Sequence, residues 1–362
     1  MRIAYVINSV EGGGAASPVP AVTQVMRRCG AAVRVFALTR RDGRALPPME
    51  AAGLDPLVRA GGLHDHVAAI RWLAAETRRW GATHLWTSLS RATILGLLLS
   101  RWKGLPVICW QHAAFLKPGN RRLLRALQSQ ARLWVADSSS VAELTASRLN
   151  IGPDRLVTWP IFAADPASPV APPWMPGEPI RIGSLGRLHP VKGYDVLMNA
   201  LSLLHRDGYS PPARLQLTIA GEGAERSRIE ALARDACLAQ LQMPGYVDDP
   251  RSFLAGQHLY VQPSRSEGFC IGVHEAMVAG LPVLASAVGE IGRTVQQDVS
   301  GFLVPPNDPH ALAVHLKALL SDPSRLATLG TAGRKQVLTQ YSQQQFVSTG
   351  EAILSRIAVQ NA

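Results

Sequence analysis

The sequence predicts an α/β chain built as two doubly wound, Rossmann-like units. Three observations carry this: β-rich runs alternate with longer helical patterns in both halves, a proline-dense stretch separates the halves, and 362 residues exceed what one core ordinarily serves. Hydrophobic residues make up 47% of the chain and charged residues 17%, which supplies apolar material for two cores and argues against disorder. The first half reads RIAYVIN, AVTQVMRRCG and AAVRVFALT, then THLWTSL, PVICWQH and RLWVADSS. That rhythm calls for right-handed βαβ crossovers and a parallel sheet with helices on both faces. From Pro160 to Pro179 the sequence PIFAADPASPVAPPWMPGEP is rich in proline and poor in periodicity, which marks a linker. The strand-helix rhythm then resumes with IRIGSLGRL, GYDVLMNALSLLHRDG, RLQLTIAGEG, HLYVQPS, GVHEAMVAGL and GFLVPP. The expected organisation is a first domain over 1–165, a linker over 166–179, a second domain over 180–340, and a C-terminal helix over 341–362 packing back toward the first domain.

Lys and Arg outnumber Asp and Glu by 37 to 26, a formal net charge of +11 that favours anionic partners: phosphates, anionic lipid or nucleic acid. No nucleic-acid motif and no aromatic platform accompanies the charge, so nucleic acid is set aside. Cys29, Cys109, Cys237 and Cys270 stand far apart, with no CxxC pair and no zinc-type spacing, which fits a reduced, cytosolic setting. His64 and His66 have no third ligand at useful spacing and read as surface residues. The opening MRIAYVINSVEGGGAAS has an apolar run of about five residues, shorter than the ~7–15 of a signal-peptide core, and reads as a buried first strand. ATILGLLLS, held between Arg91 and Arg101, falls well short of the ~20 apolar residues of a spanning helix.

Two α/β domains joined by a linker are expected to face each other across a cleft, where helix N-termini present unpaired N–H groups suited to phosphate. Two groups of residues fit such a site. In SRSEGFCIGVHEAMVAGLPVLAS, Glu267 and Glu275 stand 8 positions apart, around a glycine-bearing turn that becomes a helix. With the helix starting near Gly272, Glu275 falls in its first turn and Glu267 precedes it, so both carboxylates address one pocket and can accept sugar or ribose hydroxyls. The plainer reading makes them a loop residue and a helix N-terminal charge. In GSLGRLHPVKGYDVLMNAL, Arg187 and Lys192 follow a strand and precede a helix, flanked by Gly186 and Gly193. A guanidinium fork and a compact ammonium on such a turn suit a diphosphate, although they also suit a solvated turn.

With LTIAGEGAERSRIEALA, MPGYVDDPRSFLAGQHLYVQPS and GEIGRTVQQDVSGFLVPPND, these stretches resemble the C-terminal domain of family-four retaining glycosyltransferases of the GT-B fold, from about Ile180 to Ala332. The resemblance implies an E-x7-E element in which Glu267 meets donor-sugar hydroxyls and Glu275 the nucleotide ribose. It casts Arg187 and Lys192 as the diphosphate clamp, with the backbone of Gly268, Phe269, Cys270 and Ile271 lining the sugar and phosphate site and Val247 at the base. In the N-terminal half the likeness is looser. Gly13 and Gly14 match a glycine-rich turn near the donor phosphates or the acceptor, though a simple strand-to-helix turn would look the same. His112, ending the run PVICWQH, matches the active-site histidine near the reacting sugar, where a lone histidine would otherwise read as structural. The chain departs from the family pattern in having Cys270 and Ala113 where glycine is usual, Arg293 where an acid is common with Glu290 nearby, and only Asp165 to match the usual NG-x-D turn.

The implied activity is retaining transfer of a hexosyl-type sugar from a nucleotide-diphosphate donor to a hydroxyl of a glycan or lipid-linked acceptor, in bacterial exopolysaccharide, lipopolysaccharide or other envelope glycan synthesis. No cofactor and no metal are expected, since the chain has no D-x-D and the two cations can stand in for a divalent ion. The stretch Lys117 to Arg132 suggests an amphipathic helix with Leu123, Leu124 and Leu127 as its stripe, Arg121, Arg122 and Arg125 as its basic flank, and Trp102 and Trp134 nearby. Such a face suits the anionic inner surface of the cytoplasmic membrane, whereas leucines packed inward would leave a solvated helix. Two rival readings remain at this level: a nucleotide-sugar epimerase or hydrolase on the same fold, and a non-catalytic glycan- or lipid-binding module.

Overall fold

Seven parallel strands form the first sheet: β1 (Arg2–Ile7), β2 (Ala32–Ala37), β3 (Leu57–Val58), β4 (His84–Ser88), β5 (Val107–Gln111), β6 (Ala131–Ala136) and β7 (Leu156–Thr158), in the order β3-β2-β1-β4-β5-β6-β7. The computed structural model describes residues 1–112, 116–235 and 241–359. They divide into two units, Met1–Phe162 with Gln344–Ala362, and Ala163–Gln343. β4 and β5 are buried at every position, which is why HLWTS and VICWQ show no alternation: helices cover the sheet on both faces. Strand order reverses beside β1, which pairs with β2 on one side and β4 on the other. The carboxyl ends of β1 and β4 therefore flank a switch point, the usual place for a ligand in such sheets.

One core cluster of this unit gathers Phe36, Leu73, Leu95, Leu97, Leu124 and Trp134. Elsewhere in the same unit, Trp86, Trp110 and Trp159 are fully buried, with Trp110 and Trp159 stacked at 5.0 Å between ring centroids. The helix Gln343–Val359 closes on this aromatic layer: Trp159 Nε1 donates to the Phe346 carbonyl at 3.0 Å, and the two rings lie 5.4 Å apart.

Six parallel strands form the second sheet: β8 (Ile180–Leu185), β9 (Leu215–Ala220), β10 (Leu241–Gly245), β11 (Leu259–Gln262), β12 (Val283–Ser286) and β13 (Gly301–Val304), in the order β10-β9-β8-β11-β12-β13. The helices Tyr194–Arg206 and Pro309–Ser321 pack on it through Leu197, Leu201, Leu204, Leu312 and Leu316. Asp308 caps the second of these, its carboxylate accepting from Ala311 N at 2.9 Å.

The proline-rich stretch does not hang between the units as a free connection. Ala164 N donates to the Tyr341 carbonyl at 2.7 Å and Ala171 N to the Ala279 carbonyl at 2.8 Å, while Trp174 packs against the second core. Prolines keep it out of the sheets, but the N–H groups between them strap it to the second unit. The chain passes between units at Phe162–Ala163 and again at Gln343–Gln344, so Tyr341 and Ser342 stay with the second unit. No helix among the described residues is long and apolar enough to cross a membrane.

Gly350 makes the closure of the C-terminal helix testable. A Cβ there would lie 2.3 Å from Trp159 Cζ2 and 2.8 Å from Val25 Cγ1. Gly350→Ala should gain helix propensity yet lose about 1–3 kcal/mol to overpacking, read as a lower urea midpoint. A midpoint at or above wild type would show that the aromatic layer yields.

Candidate active site

At the end of β8 the chain turns through Gly186–Gly193 before entering the helix Tyr194–Arg206. The turn is packed backbone on backbone. A Cβ on Gly221 or Gly223 would sit 1.9 Å from Gly186 O or 2.2 Å from Leu188 O, which explains the glycines of TIAGEG. Gly193, at φ 67°, presses on the next loop: its Cβ would meet Pro263 O at 2.0 Å. Arg265 completes the join, its guanidinium forking onto both oxygens of Asp195 at 2.8 Å and its backbone N donating to Val191 O at 2.8 Å.

That join brings Lys192 to Glu267. Lys192 Nζ donates to Glu267 Oε1 at 2.7 Å, and the two side chains are only 17% and 12% exposed. Ser264 Oγ donates to the same oxygen at 2.6 Å, Gln262 Nε2 to Ser264 Oγ at 2.8 Å, and Tyr260 OH to Gln262 Oε1 at 2.8 Å. Alternate residues of β11 and its extension thus deliver a hydrogen-bonded line to the carboxylate. Burial works against the Lys192 ammonium, but the adjacent Glu267 outweighs it and holds the pKa above its ordinary value. Arg187, by contrast, is exposed, and its side chain makes no hydrogen bond or ion pair with any described residue.

The helix after Glu267 spans Ile271–Val278, with Cys270 as its N-cap at φ 65° and ψ 72°. It begins one residue earlier than expected, so Glu275 sits in the second turn rather than the first. The left-handed position at Cys270 is one that glycine adopts freely and cysteine only at a cost on the order of 1–3 kcal/mol. The thiol is buried and, through burial and then Glu267, its pKa is pushed up to about 12, which makes it a poor nucleophile. Glu275 is half-buried, and its carboxylate hydrogen-bonds to no described residue. Burial raises its carboxyl to about 7, against a smaller opposing pull from Arg251. Phe269 turns its ring inward, stacked on His274 at 3.9 Å and edge-on to Tyr341 at 5.2 Å, so it offers only backbone to a ligand. Gly268 O accepts from Glu290 N at 2.9 Å, and Val247 lies half-buried just past β10. Glu290 is itself buried and hydrogen-bonded to the Tyr341 hydroxyl, inside the fold. Asp165 accepts from Arg251 Nη1 at 2.8 Å and from Ala167 N at 3.0 Å.

In the first unit, three neighbouring strands end in polar residues that converge. His112, just past β5, has Nε2 at 2.6 Å from Ser88 Oγ at the end of β4, and Nδ1 at 3.5 Å from Asp137 Oδ2 beyond β6. The imidazole stacks on Trp110 at 5.5 Å between ring centroids. Ser88 and Asp137 escaped the sequence reading, although each closes an apolar run: Ser88 pairs in register with Trp110, and Asp137 follows Ala136, the partner of Gln111. Gly13 is exposed at φ 135°, and its carbonyl accepts from Ala16 N at 3.0 Å and Ser17 N at 3.1 Å. Gly14 is likewise exposed in this turn. Ala113 and Cys237 lie outside the described residues.

The basic helix, Pro118–Leu127, corrects one expectation. Leu124 and Leu127 are buried in the core and Trp134 is fully buried, so two of the stripe's three leucines face inward. Arg121, Arg122 and Arg125 are exposed with Leu123, and Trp102 is 64% exposed at the end of the preceding helix. Among the described residues no cluster of three His, Cys, Asp or Glu could hold a metal ion.

Glu275 gives a pH signature. Its raised pKa means that its contribution to stability is full below about 4.5 and is lost as pH rises through about 7. In unliganded protein Glu275→Gln should therefore gain stability relative to wild type between pH 5 and 7.5, measured by chemical denaturation. A difference that does not change over that range would remove the buried-carboxyl assignment.

Comparison with known proteins agrees across both units. The model for glycosyl transferases group 1 matches residues 173–336, and that for glycosyltransferase family 4 matches residues 12–162. A D-inositol 3-phosphate glycosyltransferase of Thermobispora bispora is 28% identical over 361 residues, spanning 85% of this chain and 82% of the relative. The amylovoran biosynthesis glycosyltransferase AmsK of Erwinia amylovora is 28% identical over 50% of this chain and 46% of its own length. Among solved structures, Anabaena HepE in complex with UDP and glucose superposes with a TM-score of 0.83 at 18% identity, over 99% of both chains, a likeness that speaks for the fold. Two Rossmann-like units, each matched by its own glycosyltransferase model, make the chain a member of glycosyltransferase family 4, with the GT-B fold.

Proposed function

We propose that this glycosyltransferase moves a hexosyl group from a nucleotide-diphosphate sugar to a hydroxyl of a glycan or lipid-linked acceptor, with retention at the anomeric carbon and without a divalent metal, in the assembly of an envelope or extracellular polysaccharide. The observation that carries the reading is the Lys192–Glu267 pair at the carboxyl end of the second sheet, with Arg187 exposed on the same turn. Lys192 and Arg187 receive the diphosphate and neutralise the charge that grows as the C1–O bond breaks. Glu267, held by Ser264, accepts donor-sugar hydroxyls, Glu275 accepts from the ribose, and His112 acts on the transferred sugar. The acceptor oxygen bonds to C1 on the face the diphosphate leaves, and its proton passes to the departing phosphate oxygen. HepE was captured with UDP-glucose, and a curated relative is named for colanic acid biosynthesis, which support the donor class and the setting.

Lys192→Ala and Glu267→Gln should each lower kcat/KM by about a hundredfold, close to 2.7 kcal/mol of barrier, while EDTA leaves the wild-type rate unchanged. NMR of the product should show the donor's anomeric configuration. Sugar released from donor alone at the rate of transfer would favour a hydrolase instead.

A peripheral association with the anionic inner face of the cytoplasmic membrane forms part of the proposal. It rests on Arg121, Arg122 and Arg125 beside exposed Leu123, with Trp102 on the preceding helix. Wild type should pellet with phosphatidylglycerol vesicles, and Arg121→Glu/Arg122→Glu/Arg125→Glu should stay in the supernatant. Equal pelleting of both would exclude this surface.

A further inference from the structure

The first unit carries a second basic feature away from that helix. An open cavity of about 460 Å³ lies past the carboxyl ends of β2 and β3, lined by Thr39, Arg40, Arg41, Arg59, Gly61 and Gly62. Its floor is Arg59, which is only 8% exposed. The Arg59 guanidinium runs so close to Gly61 that a Cβ there would lie 2.1 Å from Nη1, so the glycine makes room for the cation. Asp65 accepts from Arg59 and, at 2.9 Å, from Arg91 Nη2, so one carboxylate is shared between two guanidinium groups. Arg59 first, then Arg91 and Gly62 N, hold that carboxyl well below its usual range, so it stays ionised and already committed.

At the rim, Arg41 pairs with Glu11 at 3.3 Å, and Asp42 Oδ1 accepts from Gly12 N at 3.0 Å and Arg44 N at 3.1 Å. The glycine-rich turn after β1 is therefore bonded to the rim of this cavity. Arg40 is exposed, and its side chain has no hydrogen-bond or ion-pair partner among the described residues. Positive charge here thus exceeds its local compensation, at the carboxyl ends of β2 and β3 on the β1 side of the switch point.

We infer that this cavity is a subsite for an anionic group of the acceptor, a phosphate ester presented at the carboxyl edge of the first sheet. The assignment rests on the transferase reading above. Arg40 and Arg41 grip the oxyanion at the rim, Arg59 supplies a fixed positive floor, and Thr39 lies at the wall with its hydroxyl donating to the Asn8 carbonyl at 3.0 Å. Uncharged acceptors leave Arg40 unmatched, so the site selects for acidic ones.

The test uses intact protein and inorganic phosphate at constant ionic strength, read by thermal unfolding. Phosphate can also bind at Lys192, so Lys192→Ala serves as the background. In that background phosphate should still raise the Tm, and adding Arg40→Ala/Arg41→Ala should weaken its apparent affinity about tenfold or more. A phosphate response that Arg40→Ala/Arg41→Ala leaves intact, or one that Lys192→Ala alone abolishes, overturns the inference. UDP titration of Arg40→Ala/Arg41→Ala keeps the two readings apart. Retained UDP binding with lost phosphate binding supports the subsite, whereas a wild type that ignores nucleotides sinks the donor reading without touching the phosphate result. Displacement of phosphate by glycerol 3-phosphate assigns a soluble acceptor, displacement by phosphatidic acid vesicles assigns a lipid one, and displacement by neither overturns the ester assignment.

Discussion

The largely enclosed pair of Lys192 and Glu267, 17% and 12% exposed, is the constraint around which the second unit is arranged. Two charges this far withdrawn from water are tolerated only when geometry and further hydrogen bonds offset the desolvation. Here the offset comes from Ser264 and from the line of side chains leading back along β11. The pair in turn depends on two backbones touching, because Gly193 admits the Pro263 carbonyl where any side chain would stand. Arg265 and Asp195 tie the same two segments from the outer side. A cation and an acid are thus held together by the fold itself, with little freedom left to reorganise.

The first unit uses the same device with different residues. Parallel strands in consecutive order end side by side, so whatever residue closes each apolar run is delivered to one edge. Ser88, His112 and Asp137 meet in this way at the ends of β4, β5 and β6, over the ring of Trp110. The imidazole is fixed at one nitrogen by a short contact to serine and faces a carboxylate at longer range at the other. That arrangement sets the orientation of the ring without consuming both of its nitrogens in close hydrogen bonds.

Some departures from family pattern acquire a physical cost in this setting. Cys270 holds a left-handed backbone that glycine would adopt freely, and its side chain fills the space beside Glu267. Glu290, which stands near the position where an acid is usual, is turned inward to Tyr341, and Phe269, His274 and Tyr341 form one packed group beneath the Glu267 loop. The chain therefore spends aromatic packing and a strained N-cap on shaping the loop, while the glutamates and the lysine keep their positions.

The sequence by itself determined the two parallel sheets, because fully buried strands and amphipathic helices leave runs of period and length that no other class produces. It also supplied the candidates at the second sheet, since Arg187, Lys192, Glu267 and Glu275 are read directly from spaced motifs. Tertiary structure decided what lay beyond local pattern. The proline-rich stretch became a strap because its few N–H groups found carbonyls distant in sequence, such as those of Ala279 and Tyr341. Leu124 and Leu127 turned inward because the core beneath them was apolar, a fact no helical wheel contains. The meeting of Ser88 and Asp137 with His112, and the placing of Arg59 against the loop after β2, required neighbouring strands to align, and alignment is a property of the folded sheet rather than of any one segment.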